Sequence, residues 1–313
     1  MNYQTFGQLL KALRLEKGWT QDEACKGICD KRTYLRWEKD ISEPSVYYFN
    51  LLSKHFNYDL HAYYQFLNFE KSAYVLSYKQ KIQESIKNNN WEDLYQYAQE
   101  LKKLKDFKSG ENKAILMYGL ALYYYNQKQD YETSLKYSLE GLKEENPAIS
   151  KDRVYENIYS NIGLCLLNCY GVNLAKLEQQ QEAINIFSNI LKNIENKLSP
   201  YNMQYHYTEF EKRLYQTITL NLTLNYKRQN KLETALEYAN KGIDFSNKFY
   251  FMEFLGDLLE LKYNVLYELG NYQESKKTYD LCIHLYLLQN RMDHYKKCIS
   301  SLDDVFSELK KLQ

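Results

Sequence analysis

The sequence predicts an all-α protein in which a small helical domain is followed by a series of helical hairpins. Three prolines and eleven glycines among 313 residues leave little room for many turns. Apolar residues near the amino terminus recur at helical spacing, beginning with Phe6, Leu9, Leu10 and Leu13. From about residue 76 onward a short packing pattern returns five times, which indicates repeated hairpins.

Composition and charge narrow the class of protein. The mean hydropathy is -0.66, no run approaches the roughly 18 apolar residues of a membrane helix, and no basic-then-apolar leader begins the chain. We therefore expect a cytoplasmic protein without membrane contact. The six cysteines are too few for a disulfide scaffold, and no histidine set completes a zinc site, so we expect buried thiols, no metal and no cofactor.

The first 40 residues carry the start and stop signals of three short helices. Gly18 closes the first helix, and Thr20 with Glu23 three residues later forms a capping box that starts the second. Gly27 ends the second helix, and Asp30 caps the third. Short helices joined by such tight turns are typical of a helix-turn-helix domain.

The third helix is the candidate for reading DNA. Its exposed face is predicted to carry Lys31, Arg32, Thr33 and Arg36, while aromatic and aliphatic residues on the other face pack inward. Arginine and lysine bond the O6 and N7 atoms of guanine, which suits a helix in the major groove. A fourth helix is predicted to open at Ser42-Glu43-Pro44. The alternative is that the basic side chains form only a solvated face.

This order of signals resembles the lambda-repressor-like, or Cro/C1-type, helix-turn-helix family over about 55 residues. The resemblance implies that Gln21 anchors a DNA phosphate. Lys31 and Arg32 then stand where family members read base edges, and Thr33 and Arg36 complete the DNA-facing side of the helix. The target implied is a double-stranded DNA operator.

The same resemblance implies an ion pair inside the domain. Arg14 and Glu38 occupy the positions of a first-helix arginine and of the glutamate that ends the recognition helix, so we assign them a structural role. The chain departs from the family at Asp40, which replaces the glycine that usually follows the Trp-Glu pair. The geometry of the loop after the recognition helix is left open by this departure.

Charge predicts how many copies bind DNA. Residues 1–66 carry a net charge of only +1, as does the whole chain, so one copy has little general attraction for phosphate. Two copies acting together on an inverted repeat would overcome this weakness. We therefore expect a homodimer.

The repeated pattern consists of a large residue, a second residue three positions on, a third after four more and a fourth after three more. Small residues at the second and third places allow two helices to approach closely. The pattern resembles tetratricopeptide hairpins with lengthened connections, which implies a right-handed superhelix of five degenerate hairpins. Its five instances are Trp91/Leu94/Ala98/Leu101, Tyr131/Ser134/Ser138/Gly141, Gln180/Ala183/Phe187/Ile190, Leu232/Ala235/Ala239/Gly242 and Tyr272/Ser275/Tyr279/Cys282.

The inner wall of such an array is formed by the first helix of each hairpin and is the expected binding surface. Asparagine amides there offer a donor and an acceptor to the backbone of an extended peptide, and basic side chains could receive its terminal carboxylate. The alternative is that the asparagines bond between neighbouring helices. The candidate peptide-binding residues are Asn157, Asn161, Asn221, Lys227, Arg228 and Asn264.

We place the DNA-binding domain at residues 1–66, a linker helix at 67–75, and the repeat, peptide-binding and dimerisation domain at 76–313. No phosphate loop, nucleophile elbow or zinc-protease helix is present in the sequence, so no catalytic site is expected. The carboxylate pair Glu144-Glu145 is interpreted as a solvated helix end.

A Cro/C1-type domain followed by five tetratricopeptide-like hairpins resembles the peptide-pheromone-responsive regulators of the Rgg, PlcR and PrgX (RRNPP) group. The resemblance covers the whole chain in architecture, but only the DNA-binding part carries residue-level motifs. It implies a quorum-sensing transcription regulator in which a short peptide, bound in the repeat groove, alters how two DNA-binding domains engage the operator.

Two other functions stay open from the sequence. The repeats could bind a protein partner such as an antirepressor of a mobile element, or they could hold a constitutive dimer of an unregulated repressor. The peptide sequence, the operator sequence, and the choice between activator and repressor are not encoded in any motif. Nor does any motif say whether the peptide promotes or relieves DNA binding.

Overall fold

The computed structural model describes residues 5–61, 72–149, 154, 159–195 and 207–304, and these form helices and connecting turns with no strand among them. The chain divides into two compact units, residues 1–84 and 85–313. The all-α prediction, with a helix-turn-helix unit followed by helical hairpins, is confirmed. The linker helix predicted at 67–75 lies mostly outside the described residues, which resume at Ser72.

Residues 5–61 of the amino-terminal unit form four short helices around one apolar core. The core is built from fully buried side chains that include Leu10, Tyr34, Leu52 and Leu60. The helices are α1 (Phe6–Glu16), α2 (Gln21–Cys25), α3 (Lys31–Glu38) and α4 (Val46–Phe56).

The caps predicted for α2 and α3 are present. The Thr20 hydroxyl accepts the backbone N–H of Glu23, and the Glu23 carboxylate accepts the backbone N–H of Thr20 at 2.7 Å. Asp30 accepts the backbone N–H of Thr33 at 2.9 Å. The predicted start of the fourth helix was wrong by two residues, because α4 begins at Val46 after an N-cap, Ser45, that makes no side-chain capping bond.

The hairpins follow in order along the chain. Two irregular turns interrupt them, a 3₁₀ turn at Lys105–Phe107 and a π turn at Tyr124–Lys128. The helices are α5 (Ser72–Lys87), α6 (Trp91–Leu101), α7 (Gly110–Tyr123), α8 (Tyr131–Leu142), α9 (Asn161–Lys176), α10 (Gln180–Glu195), α11 (Glu209–Arg228), α12 (Leu232–Phe249), α13 (Leu255–Glu268), α14 (Tyr272–Leu288) and α15 (Met292–Asp304).

Each of the five pattern instances marks the second helix of a hairpin. The first pattern residue is in every case the first residue of that helix. The second and third pattern residues are buried in all five hairpins, whether they are small, as Ala235 and Ala239, or large, as Phe187 and Tyr279. First helices also contact one another along the array, from α7 to α9, α11 and α13. Hairpins two to five, from α7–α8 to α13–α14, are therefore packed and stacked, and α5 and α6 occupy the positions along the chain that the first predicted hairpin requires.

A left-handed residue recurs at the turn into each second helix. It stands two positions before that helix begins and has a φ between 51° and 76°. Asparagine and glycine tolerate this conformation best because their steric cost is smallest. The same turn recurs a sixth time between α14 and α15, at Asn290. The five hairpin positions are Asn89, Gln129, Glu178, Asn230 and Gly270.

A buried glutamine fixes the connection between hairpins four (α11–α12) and five (α13–α14). The side-chain amide of Gln216, which is fully buried, donates to the Ser246 hydroxyl at 2.6 Å and to the Phe251 carbonyl at 2.7 Å. Its carbonyl oxygen accepts the backbone N–H of Phe254 at 3.2 Å. One side chain thus satisfies loop groups that would otherwise be buried without partners.

The described residues hold no group of three or more potential metal ligands, and none of their helices is long and apolar enough to cross a bilayer. All six cysteines are free thiols, four of them buried.

The close approach of helices at Gly242 predicts that a side chain at this position destabilises the protein. A β-carbon there would lie 2.6 Å from Thr219 Oγ1 and 2.7 Å from a methyl carbon of Leu258, so the position has no room for a side chain. We expect Gly242→Val to reduce the free energy of unfolding by about 3 kcal/mol or more. Asn247→Val, at an exposed position of the same helix, is the control. Equal urea midpoints for the two variants would contradict the packing described.

Candidate functional site

The recognition helix α3 presents its cations to solvent. Lys31, Arg32 and Arg36 are exposed, whereas Tyr34 and Trp37 are buried in the core. Lys31 forms an exposed ion pair with Asp22, with 2.5 Å between Nζ and Oδ2. Such a pair contributes little to stability in water and exchanges readily for a phosphate.

The guanidinium groups of Arg32 and Arg36 make no ion pair or hydrogen bond within the described part of the chain. Thr33 differs from them because its hydroxyl donates to Asp30 Oδ2 at 2.7 Å. These bonds from Thr33 hold the pKa of the Asp30 carboxyl below its usual value. Thr33 is therefore first a capping residue, and its hydroxyl oxygen is left to accept a bond.

Behind α3 lies a buried ion pair between Arg14 and Glu38. Arg14 Nε lies 2.5 Å from Glu38 Oε1, and a second guanidinium nitrogen donates to Glu38 Oε2 at 3.3 Å. The remaining nitrogen donates to the Trp19 carbonyl at 3.0 Å. Both charged residues are 8% exposed. The pair predicted from the sequence is thus formed, and it ties the end of α3 to α1 and to the turn before α2.

Gln21 belongs to the same network. Its side-chain amide donates to Glu38 Oε2 at 2.9 Å, so the carboxylate fixes the orientation of the amide. An amide nitrogen carries two hydrogens, which leaves one donor available for a DNA phosphate.

Asp40 has a role that the sequence did not reveal. It adopts a left-handed φ of 54°, the conformation that a glycine would adopt most easily. Its carboxylate accepts the backbone N–H of Gly7 at 2.7 Å and the Thr5 hydroxyl at 2.6 Å. A β-carbon at Gly7 would lie 2.6 Å from the Trp37 carbonyl oxygen, so α1 begins directly against the end of α3. Asp40 therefore caps α1 while it turns the chain.

The asparagines predicted to bind peptide are partly engaged within the protein. The Asn221 amide donates to Asn168 Oδ1 at 2.9 Å, which joins α11 to α9, as the alternative interpretation proposed. The Asn264 amide donates to the Glu260 carbonyl of its own helix at 2.6 Å. Asn161 is exposed at the start of α9, and Asn157 lies outside the described residues.

Two buried asparagines escaped the sequence search. Asn173 and Asn225 each stand seven residues before the second helix of their hairpin. Each amide donates to the carbonyl four residues earlier, at 2.8 Å and 2.7 Å respectively. Each carbonyl oxygen is buried without a partner among the described residues. Such an oxygen costs about 1 to 3 kcal/mol, so the repetition of the arrangement calls for a partner such as a ligand or water.

The two basic residues that end α11 differ in their surroundings. Lys227 Nζ lies 2.6 Å from Glu268 Oε1 on α13, so its charge is already paired. Arg228 is exposed and has no partner within the described residues. Of the two, only Arg228 has a charge that is free to meet a carboxylate.

A cleft of about 680 Å³ opens between the second helices α8 and α10, over α9. None of the residues predicted to bind peptide is among the residues that line it. Its apolar lining consists of Leu135, Leu139, Val154, Tyr170, Leu174, Leu177 and Ile186.

Residues 10–62 match the helix-turn-helix family model HTH_3. No curated protein sequence matches the chain significantly. The matched segment contains α2, α3 and α4 and most of α1, including the Arg14–Glu38 pair.

Solved structures share the fold over almost the full length. Bacillus thuringiensis PlcR, solved with the peptide PapR7 and DNA, superposes with a TM-score of 0.73 at 19% identity, covering 95% of this chain and 99% of PlcR. ComR from S. thermophilus, solved with DNA and its signalling peptide ComS, gives 0.61 at 15% identity over 95% and 98% of the two chains. A Listeria monocytogenes EGD-e protein described as a putative transcriptional regulator gives 0.65 at 17% identity over 100% of both.

The cap formed by Asp40 predicts an effect on stability. We expect Asp40→Ala to lower the stability of α1 by about 1 to 3 kcal/mol, because it removes the carboxylate that accepts the Gly7 N–H and the Thr5 hydroxyl and keeps a non-glycine residue at positive φ. Asp40→Gly loses the cap without the backbone strain, so its loss should be smaller by about 1 kcal/mol. Hydrogen exchange of the α1 amides in the full chain measures both. Glu16→Ala is the control, and equal protection in all four proteins would contradict this role of Asp40.

The helix-turn-helix match and the shared architecture lead to one conclusion about the fold. Residues 10–62 form a DNA-binding helix-turn-helix domain of the HTH_3 type, and the chain as a whole has the fold of PlcR and ComR.

Proposed function

We propose that this protein is a homodimeric transcription regulator that binds an operator through α3 and is controlled by a short signalling peptide bound in the repeat domain. The observation that carries the proposal is the pair of exposed guanidinium groups on α3, those of Arg32 and Arg36, which have no partner among the described residues. The buried Arg14–Glu38 pair supports the helix from behind. The shared fold with PlcR, which was solved with a peptide and DNA, supports the second half of the proposal.

On DNA, α3 enters the major groove with its amino-terminal end foremost. Arg32 and Arg36 approach base edges, where each can form two parallel bonds to a guanine. Lys31 exchanges Asp22 for a phosphate, and the free N–H of Gln21 meets the phosphate backbone. Because the net charge of residues 1–66 is only +1, two domains bind a symmetric operator together.

In the repeat domain, the inner first helices bind the backbone of an extended peptide through asparagine amides. Asn161, Asn221 and Asn264 are the described asparagines among the residues predicted from the sequence, and Asn225 adds a buried carbonyl oxygen beside Asn221. The peptide controls DNA binding only if it binds one arrangement of the dimer more tightly than the other. Imported peptide would then report cell density, which is quorum sensing.

The proposed base contacts predict a loss of specific binding. We expect Arg32→Ala and Arg36→Ala each to weaken binding to a selected operator by about 1 to 3 kcal/mol, with little change on unrelated DNA. The operator is first selected from a randomised duplex library with the full chain, and affinity is then measured by fluorescence anisotropy. Lys11→Ala, at an exposed lysine on α1, is the matched control. If both arginine variants bind the selected operator with the affinity of the wild type, these residues do not belong to the DNA interface.

Peptide control predicts a ligand-dependent change in stability. A calorimetric and thermal-shift screen of the full chain against hydrophobic peptides of five to ten residues should find ligands that raise the melting temperature, because binding stabilises the folded state. Asn221→Ala should reduce the shift, and Asn247→Ala should not. If no peptide shifts a protein that still dimerises and binds DNA, a protein partner or an unregulated repressor becomes the better explanation.

A further inference from the structure

One edge of the repeat unit brings together two tyrosines and two cations from three successive hairpins. Tyr125 lies in the π turn after α7, and Tyr131 begins α8, with 5.4 Å between their ring centroids. The ammonium of Lys176, at the end of α9, lies 5.6 Å from the Tyr131 ring centroid. Burial raises the pKa of the Tyr125 hydroxyl, and the charge of Arg228, at the end of α11, opposes that rise. π turns inside helices occur frequently at functional sites.

All four groups are donors that lack acceptors. Neither phenol hydroxyl, nor the Lys176 ammonium, nor the Arg228 guanidinium forms a hydrogen bond or ion pair with any residue that the structure describes. The ionisable groups that act on Tyr125 are Tyr131, Cys169 and Arg228, and none of them is a carboxylate. The neighbouring Lys227 shows the contrast, because Glu268 neutralises it at 2.6 Å.

Helix dipoles explain only part of this arrangement. The carboxyl ends of α9 and α11 favour nearby cations, which accounts for a basic residue at each end. A helix dipole does not explain why two half-buried tyrosines lie beside those cations with no hydrogen-bond acceptor for their hydroxyls among the described residues. A carboxylate is the acceptor that suits two cations and two phenols, and the planar guanidinium matches its two oxygens.

We propose that Tyr125, Tyr131, Lys176 and Arg228 form the seat of a free carboxylate of the ligand that the repeat domain binds. The inference rests on the proposed peptide control and adds a chemical requirement to it. The peptide must carry either its own terminal carboxylate or an aspartate or glutamate side chain at the position that reaches this edge. Arg228 supplies the paired bonds, Lys176 the second positive charge, and the tyrosines two neutral donors and an apolar wall.

Two small probes test the seat directly on the full chain. Ligand-detected NMR compares N-acetylphenylalanine, which has a carboxylate, with its uncharged amide. We expect the acid to bind and the amide to bind at least about tenfold more weakly, because a hydrogen bond to a charged group contributes about that factor. Arg228→Gln and Lys176→Gln should each weaken the acid by a similar factor, and Tyr125→Phe by less.

Lys248→Gln is the matched control, since Lys248 also lies over an aromatic ring, 5.3 Å from the centroid of Phe249. It should leave the binding of the acid unchanged. Circular dichroism melts confirm that each variant is folded. Equal or absent signals from the two probes, or equal binding by wild type and Arg228→Gln, overturn the proposal.

A peptide library separates the two sources of carboxylate and separates this inference from peptide control itself. Random heptapeptides, synthesised as free acids and as carboxyl-terminal amides, are passed over the immobilised full chain. Retention of free acids alone supports a terminal carboxylate, and retention of amides enriched in aspartate or glutamate supports a side chain. If peptides are retained that have neither a terminal carboxylate nor an acidic side chain, and if they also bind Arg228→Gln, the carboxylate seat is wrong but peptide control still holds. Retention of no peptide, while the acid probe still binds, overturns peptide control and leaves the carboxylate seat standing.

Discussion

The buried Arg14–Glu38 pair is the interaction on which the DNA-binding domain depends. The Glu38 carboxylate accepts hydrogen bonds from the Arg14 guanidinium and the Gln21 amide. The Arg14 guanidinium donates to that carboxylate and to the Trp19 carbonyl. Two charges withdrawn from water need this degree of pairing, since removal of one partner from a buried pair costs about 3 to 5 kcal/mol. The pair joins α1, the turn before α2 and the end of α3. The direction in which the cations of α3 point is therefore set by a network behind the helix.

The fold of both units was largely predictable because its determinants are local. Thr20 and Glu23, three residues apart, indicate a helix cap. The second and third pattern residues indicate which face of each second helix packs closely against its neighbours. These signals depend only on helical periodicity and capping, which operate within a few residues. The start of α4 was missed because Pro44 suggests a helical first turn, yet the residues before Val46 remain extended. Even there the error was two residues in one boundary.

The functional residues were less predictable, because their surroundings depend on contacts between distant parts of the chain. The partner of Lys227 is Glu268, which is adjacent only because first helices of consecutive hairpins stack. Asp40 could be recognised as unusual, but its bonds to Thr5 and Gly7 depend on how α1 meets α3. Asn173 and Asn225 carried a usable signal, since they stand at the same distance before their second helices. Aligning the hairpins on those helices would have revealed them.

Hydrogen-bond exchange then limits how a peptide can gain affinity in the repeat domain. A peptide that bonds to the Asn221 amide competes with Asn168, and the net gain from exchanging one neutral hydrogen bond for another is small. The unpartnered oxygens of Asn173 and Asn225 are better placed to stabilise a ligand, because they exchange no existing bond. Their burial restricts access to them, however. Affinity and specificity must then come mainly from apolar contact and from charges that the protein leaves unpaired. Of the two basic residues at the end of α11, only Arg228 meets that condition. Under the proposed function, the group that pairs with Arg228 would therefore decide which peptides are recognised.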